Sequence, residues 1–261
     1  MQVARFSADG RTAYGVVEGQ RIQVVAGLPW EGLARTGEAL PLSAVKLLAP
    51  VEPPDVFAIG LNYKSHAAEA GFTPPPAPVI FLKAGSSVIG PEEPVVLPAM
   101  APDEVDYEGE LVLVIGRACR DVSEAEALDY VFGYTCGNDV SARDVQLKQD
   151  TQWARGKSFA TFCPLGPWIE TELDCDAAEI SLTLNGEVMQ HSNTSRMIFS
   201  CRHLVSYCSQ ITTLRPGTVI MTGTPEGVGF SRKPPIFLHP GDRMEVTIEG
   251  IGTLGNPVVG E

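Results

Sequence analysis

The stretch that decides the fold is APDEVDYEGELVLVIG, residues 101–116. Its second half, LVLVIG, is an unbroken apolar run, which is typical of a strand buried on both faces. Its first half is crowded with carboxylates. Successive strand side chains point to opposite faces, so Glu108 and Glu110 would share one face. Neighbouring anions repel unless a cation lies between them, so the stretch predicts a buried strand that begins at a cation site.

A solvated pair of carboxylates on an exposed strand is the more common origin of an E-x-E pattern. The apolar run that follows favours burial instead, because buried carboxylates need neutralisation. A third carboxylate, Asp139, follows a second apolar strand in YTCGNDVSARD. Three oxygen ligands suit a hard ion such as Mg²⁺ or Mn²⁺. Zinc is disfavoured because no spaced His and Cys ligands accompany them.

The composition indicates a folded globular protein and excludes several classes of partner. The chain has 261 residues, of which 44% are hydrophobic and 20% charged, and its net charge is −13. This charge, without a Lys/Arg cluster, argues against a nucleic-acid partner, and we expect none. With no leader-like start and no apolar run of membrane-spanning length, we expect neither export nor a membrane span. Six cysteines without a Cys-x-x-Cys pair indicate reduced thiols and a cytoplasmic location.

Turn signals divide the chain into two parts. Residues 1–50 consist of short alternating runs between Asp-Gly and Glu-Gly turns, and they predict a small N-terminal β domain. The proline-rich LLAPVEPPD marks the boundary with a second domain, residues 51–261, of mixed, strand-rich α+β type. Asn185-Gly186 predicts a hairpin. Short helices are predicted at the following segments: Lys64–Ala70, Ser123–Tyr130 with a capping box, and Ser200–Gln210.

Further candidate residues lie in polar segments that adjoin strands. In GLNYKSHAAEAG, His66 and Glu69 are three apart, so on a helix they share a face and can form a general-base pair. A surface pair without a role would show the same spacing. Arg143 and Lys157 are the two cations that stand out downstream. Each is most simply a solvated charge, but Lys157 introduces an apolar Gly/Pro-rich segment, where a charge requires an anionic partner.

Taken together, these segments resemble the fumarylacetoacetate hydrolase superfamily. The similar motifs occur in that family's order over roughly residues 54–255: GLNYKSHAAE, KAGSSVIGP, VDYEGELVLVIG, GYTCGNDVSARDVQ, GKSFATFCPLGPWI, LNGEVMQHSNTSRMIF and LRPGTVIMTGTPEGVG. The resemblance implies a β-roll catalytic domain behind a small N-terminal domain, assembled as a homodimer.

The resemblance also implies a role for each matching residue. Glu108, Glu110 and Asp139 match the ligands of Mg²⁺ or Mn²⁺. His66 and Glu69 match the dyad that activates water or moves protons. The remaining matches are Lys157 as the residue that stabilises an enolate or oxyanion, and Arg143, Gln146 and Thr224 as contacts of the substrate carboxylate.

The implied substrate is a small anionic 2-oxo or β-diketo acid. A bound Lewis acid makes an enolate accessible from such a compound, and the fate of that enolate sets the reaction. We predict a hydrolase that cleaves a C–C bond in an acylpyruvate, in the catabolism of aromatic compounds. The alternative is a decarboxylase, isomerase or tautomerase of a 2-oxo dicarboxylate, of the oxaloacetate or 2-hydroxyhepta-2,4-diene-1,7-dioate type. A metal-binding relative without activity is a third, weaker interpretation.

Overall fold

The structure, a computed structural model, describes all 261 residues and is rich in strands. The strands are β1 (Gln2–Ala8), β2 (Arg11–Glu18), β3 (Arg21–Val25), β4 (Arg35–Pro41), β5 (Lys46–Leu47), β6 (Val56–Gly60), β7 (Val79–Lys83), β8 (Val88–Ile89), β9 (Val95–Leu97), β10 (Val105–Asp106), β11 (Gly109–Ile115), β12 (Val131–Asn138), β13 (Ser141–Ala142), β14 (Cys163–Glu170), β15 (Glu179–Leu184), β16 (Glu187–Asn193), β17 (Val219–Met221), β18 (Arg243–Ile248) and β19 (Gly252–Gly260). The α-helices are α1 (Lys64–Glu69), α2 (Ala154–Lys157) and α3 (Cys201–Ile211).

A large mixed sheet forms the centre of the molecule. Its order is β4-β3-β2-β1-β14-β12-β11-β17-β6-β7, and β5 and β8 pair with β1 and β14. The decisive strand β11 lies between β12 and β17, and all seven of its residues are buried. The prediction of a strand buried on both faces is confirmed. The mixed, strand-rich fold class is confirmed as well.

The N-terminal strands extend this same sheet. Strand β1 pairs with β14, with Gln2 opposite Glu170 and Val3 opposite Ile169. Residues 1–50 nevertheless have apolar clusters of their own on the two faces of their strands, one built around Val3 and the other around Phe6. The N-terminal part is thus joined to the rest by main-chain hydrogen bonds, and its independence as a domain stays a prediction.

A second sheet covers one face of β11. Its order is β16-β15-β18-β19-β9, and its apolar side chains share the main core with Leu111 and Leu113. The hairpin β15–β16 turns at Asn185 and Gly186, which have φ values of 53° and 81°. Both values lie in the left-handed region that a two-residue hairpin turn of this kind requires, so the predicted hairpin is confirmed.

Two of the three predicted helices are confirmed. Helix α1 covers the first of them, and α3 begins after Ser200, whose Oγ accepts a hydrogen bond from the His203 N–H. The helix predicted over Ser123–Tyr130 is wrong, since only its last four residues form a 3₁₀ turn. There the Ser123 hydroxyl donates to the Glu126 side chain at 2.7 Å, so it does not cap the main chain. None of the helices has the length and apolar character needed to cross a membrane.

Candidate active site

Three carboxylates converge where β11 begins and β12 ends. Glu108 precedes β11, Glu110 is its second residue, and Asp139 follows β12. The Asp139 N–H donates to the Glu108 main-chain oxygen at 2.9 Å, and this bond fixes the two strand ends side by side. One oxygen from each carboxylate lies within 4.8 Å of the others, and all three residues are buried. The pairing of β11 with β12 therefore assembles the carboxylate triad that the sequence predicted.

Lys157 lies against this triad. Its Nζ donates to Glu108 Oε2 at 2.8 Å and to Asp139 Oδ2 at 2.7 Å, and the residue is 2% exposed. Burial lowers the pKa of Lys157, but the charges of Asp139 and Glu108 outweigh burial and raise it. The lysine is therefore charged, and the prediction that it requires anionic partners is confirmed.

A second lysine, Lys83, was missed from the sequence. Its fully buried Nζ donates to Asp139 Oδ1 at 2.5 Å and also to the main-chain oxygen of Lys157. The available signal was a charge at the end of the apolar strand PVIFLK, which β7 contains. Lys83 thus holds both Asp139 and the end of helix α2 in place.

The three carboxylates differ in their electrostatic surroundings. Burial raises the pKa of Glu108, but Lys157 and Arg143 reverse this effect and lower it to about 2. Burial and then the charges of Asp139 and Glu108 raise the pKa of Glu110 well above its usual value. Glu110 accepts a hydrogen bond from the Gly223 N–H at 2.9 Å and has no ion pair with a lysine or arginine.

These features fit a hard divalent cation. The donor set consists of carboxylate oxygens alone, which is what Mg²⁺ and Mn²⁺ prefer. A buried carboxylate without a cationic partner is unfavourable, and a dication beside Glu110 would supply one. Glu108, Glu110 and Asp139 are the residues that would hold it.

The His66–Glu69 pair is formed as predicted. His66 Nδ1 donates to Glu69 Oε1 at 3.0 Å on helix α1. Both oxygens of Glu69 also accept from the Gly227 N–H, each at 3.0 Å. Burial raises the pKa of Glu69, but the hydrogen bonds from His66 and Gly227 outweigh it and lower the pKa. An ionised Glu69 therefore orients the imidazole.

A pocket of about 430 Å³, including its open mouth, brings these groups together. The predicted residues that line it are His66, Glu108, Arg143, Gln146, Lys157 and Thr224. The other three predicted residues do not line the pocket, but each is next to a residue that does. Glu69 is hydrogen-bonded to His66, and Asp139 accepts a hydrogen bond from Lys157. One carboxylate oxygen of Glu110 lies within 4.8 Å of one from Glu108. The aromatic lining residues are Phe72, Phe81, Trp153 and Phe230. The pocket therefore has both polar, charged lining residues and an aromatic wall.

Arg143 and Gln146 adjoin one another at the pocket wall. Arg143 Nη1 donates to Gln146 Oε1 at 2.9 Å, and Arg143 Nη2 lies 2.7 Å from Glu108 Oε1. Asp106, which the sequence analysis missed, accepts from Arg143 Nε at 2.8 Å and from the Gly229 N–H at 2.8 Å. Asp106 belongs to the carboxylate cluster in residues 101–116 and precedes Glu108 by two residues. Because strand residues two apart share a face, this spacing could have indicated that Asp106 lies on the same side as Glu108.

The arrangement provides the parts of an acid–base site. An oriented imidazole borders a pocket that also holds an ammonium, a guanidinium and a cluster of carboxylates suited to a dication. Such a set can remove a proton from carbon and stabilise the negative charge that develops.

The chain belongs to the fumarylacetoacetate hydrolase family. The family model described as Fumarylacetoacetate (FAA) hydrolase C-terminal matches residues 55–259, and a second model, Rv2993c-like, N-terminal, matches residues 1–50. The resemblance inferred from the sequence is confirmed.

Similar proteins include a relative whose name gives no activity and relatives named as enzymes. Protein Rv2993c of Mycobacterium tuberculosis is 46% identical over 99% of this chain and 98% of its own length. The human mitochondrial oxaloacetate tautomerase FAHD2A is 45% identical over 87% of this chain and 74% of its own length. The solved structure of 5-carboxymethyl-2-hydroxymuconate delta-isomerase from Mycobacterium smegmatis has 46% identity and a TM-score of 0.91, with full coverage of both chains.

Proposed function

We propose that this protein is a divalent-metal-dependent enzyme that moves protons on a 2-oxo dicarboxylate, as a keto–enol tautomerase of the oxaloacetate type. The observation that carries the proposal is the single pocket shared by the oriented His66 and the charged Lys157 beside the carboxylate triad. The enzymes that this chain resembles do not all catalyse the same reaction. The geometry of this pocket provides what proton transfer at carbon requires.

His66 would act as the base. Because ionised Glu69 only accepts, the hydrogen of the neutral imidazole is on Nδ1, which leaves Nε2 free to take a proton. That proton comes from the carbon next to the oxo group, and the electron pair left behind makes the enolate. Returning a proton to the oxygen completes the enol, so the product keeps the mass of the substrate.

Lys157 and the residues that contact the substrate carboxylate would stabilise the negative charges of the substrate and the enolate. A bound Mg²⁺ or Mn²⁺ would supply Lewis-acid polarisation of the 2-oxo acid. Lys157 adds positive charge where the enolate forms. Arg143, Gln146 and Thr224 line the same pocket and would hold a carboxylate of the substrate.

The names of the relatives support proton transfer over hydrolysis. Two of them are a tautomerase and an isomerase, and both reactions rearrange a substrate without adding water. Hydrolytic cleavage of an acylpyruvate in aromatic catabolism, which the sequence favoured, uses the same base to activate water and stays a prediction. Decarboxylation of the same dicarboxylate also stays a prediction.

Two further properties belong to this proposal. We expect the protein to act in the cytoplasm, as its unpaired cysteines indicate, and to assemble as a homodimer, as the family resemblance implies. We expect no nucleic-acid partner, because the net charge is −13.

A mass-resolved screen of 2-oxo and β-diketo acids with Mg²⁺ or Mn²⁺ tests the proposal. Tautomerisation or isomerisation keeps the mass of the substrate, hydrolysis adds water and decarboxylation removes carbon dioxide. We expect accelerated enol-to-keto conversion of oxaloacetate at unchanged mass. Turnover that only adds water would instead favour the hydrolase.

A further inference from the structure

The main chain of Gly109, the residue between Glu108 and Glu110, is held at both of its flanking peptide groups by side chains of distant segments. Its N–H donates to Gln190 Oε1 at 2.9 Å, and its main-chain oxygen accepts from Thr224 Oγ1 at 3.0 Å. A Cβ at position 109 would lie 3.3 Å from Leu182 Cβ and 3.4 Å from Gln190 Oε1, so the surroundings of Gly109 are closely packed.

Gln190 connects the two sides of this arrangement. Besides accepting from Gly109, its Nε2 donates to Thr224 Oγ1 at 2.8 Å and to the Pro225 main-chain oxygen at 2.9 Å. The residue is 1% exposed and lies on strand β16. A rotated amide would place its NH₂ against the Gly109 N–H and its oxygen against the Pro225 oxygen, so the surroundings fix the orientation.

The Thr224 hydroxyl is fully committed within the protein. Its one hydrogen is donated to the Gly109 oxygen, and it accepts from Gln190. It therefore has no hydrogen left for a substrate carboxylate. The Thr224 main-chain N–H, in contrast, has no acceptor in the protein. The contact of Thr224 with the substrate is thus best made by its main chain.

We propose that Gln190 is a positioning residue which, with the Thr224 hydroxyl, clamps the two peptide groups that flank Gly109 and so sets the directions of Glu108 and Glu110. Gln190 holds the Glu108–Gly109 peptide group and Thr224 holds the Gly109–Glu110 group, so rotation of either would redirect the adjoining carboxylate. The clamp also ties the substrate loop, residues 222–226, to the carboxylates. This inference rests on the proposed metal site, and it assigns to Thr224 a role in metal affinity.

Mn²⁺ titration calorimetry on the full chain without substrate tests the clamp. Gln190→Leu and Thr224→Val should each weaken Mn²⁺ binding by about tenfold, the usual effect of losing a group that orients a ligand. Thr224→Ser keeps the hydroxyl and should keep the affinity. Thr247→Val is the matched control, since it removes a hydroxyl that bonds Thr253 on the surface, far from the site.

The double variant separates a shared clamp from two independent effects. Gln190→Leu with Thr224→Val should bind Mn²⁺ within about twofold of the weaker single variant, because the two side chains are hydrogen-bonded to each other and hold the same residue, Gly109. Saturating Mn²⁺ should restore turnover of oxaloacetate in Gln190→Leu, whose side chain does not line the pocket. Thermal melting identifies any variant that does not fold. If Gln190→Leu is unfolded, the nearly isosteric Thr224→Val decides the question.

The outcomes distinguish this inference from the proposed function. Wild-type affinity in both Gln190→Leu and Thr224→Val overturns the clamp and leaves the metal site standing. A raised KM for oxaloacetate in Thr224→Val, with Mn²⁺ affinity unchanged, makes the hydroxyl a direct substrate contact and also overturns it. Absence of Mn²⁺ binding by the wild-type protein overturns the proposed metal site, and the inference with it.

Discussion

Asp106 holds Arg143 from behind the pocket, with 2.8 Å between Asp106 Oδ2 and Arg143 Nε, and Asp106 itself does not line the pocket. The same carboxylate accepts from the main-chain N–H groups of Gly229 and Phe230. The Phe230 ring in turn lies against the guanidinium, with its centroid 4.4 Å from Arg143 Cζ. One buried carboxylate thus fixes a cation and the aromatic wall beside it.

Asp106→Asn should weaken the binding of the anionic substrate. A hydrogen bond between charged groups contributes about 1.5–3 kcal/mol, so we expect KM for oxaloacetate to rise about tenfold or more. The Mn²⁺ affinity should change less than KM does, since Asp106 contacts the triad only through Arg143. Steady-state kinetics and calorimetry measure the two effects. An unchanged KM would show that Arg143 does not need Asp106 for its position.

His66→Ala should retain Mn²⁺ binding and lose most turnover. General-base catalysis contributes about 10²- to 10⁴-fold, and the fall in kcat should lie in that range. Glu69→Gln keeps the imidazole but removes its charged acceptor, so its loss should be smaller. Undiminished turnover in His66→Ala would exclude the imidazole from the mechanism.

The lowered pKa of Glu69 predicts a pH dependence of stability. The hydrogen bonds from His66 and Gly227 favour the ionised form in the folded protein. Ionised Glu69 therefore stabilises the fold above its usual pKa of 4.5, and this contribution is lost as pH falls through the lowered value. Urea unfolding of the wild-type protein and Glu69→Gln should show a constant difference at pH values above 4.5 that shrinks below it. A difference that disappears well above 4.5 contradicts the assignment.

Gly60→Ala should disturb the aromatic wall of the pocket. A Cβ at position 60 would lie 2.3 Å from Trp153 Cζ3, so the indole must move, and its edge-on contact with Phe81, at 5.8 Å between centroids, must change. Overpacking of this kind lowers the free energy of unfolding by about 1–3 kcal/mol. Gly260→Ala, whose Cβ would have its nearest contact at 3.5 Å, is the control and should have no effect. Equal stability of both variants would show that Trp153 is not packed against Gly60.

The sequence predicted those features that a local pattern encodes. The apolar run of β11 specified a strand buried on both faces, and Asn185-Gly186 specified a hairpin. The three-residue spacing of His66 and Glu69 was sufficient because one helical turn brings them together. The carboxylate triad was predicted because each of its members adjoins an apolar strand.

The features that were missed depend on contacts between distant segments. Lys83 donates a hydrogen bond to Asp139, which lies 56 residues away in the sequence. Because a lone lysine at the end of a strand has the local pattern of a surface charge, the sequence did not predict this contact. The clamp residue Gln190 lies 81 residues from Gly109. The pairing of β1 with β14 joins residues more than half the chain apart. The helix predicted at Ser123 was wrong because the Ser123 hydroxyl, which was expected to cap the main chain, donates to the side chain of Glu126.

The central claim is that three carboxylates hold a dication which supports enolisation of a 2-oxo acid. The most direct measurement is the rate of oxaloacetate enol-to-keto conversion by chelator-stripped protein, before and after Mn²⁺ is returned. We expect that stripping abolishes the acceleration, that Mn²⁺ restores it, and that Glu110→Gln at the same Mn²⁺ concentration stays inactive although it is folded. Full acceleration by protein whose metal content is far below one ion per chain would contradict the account.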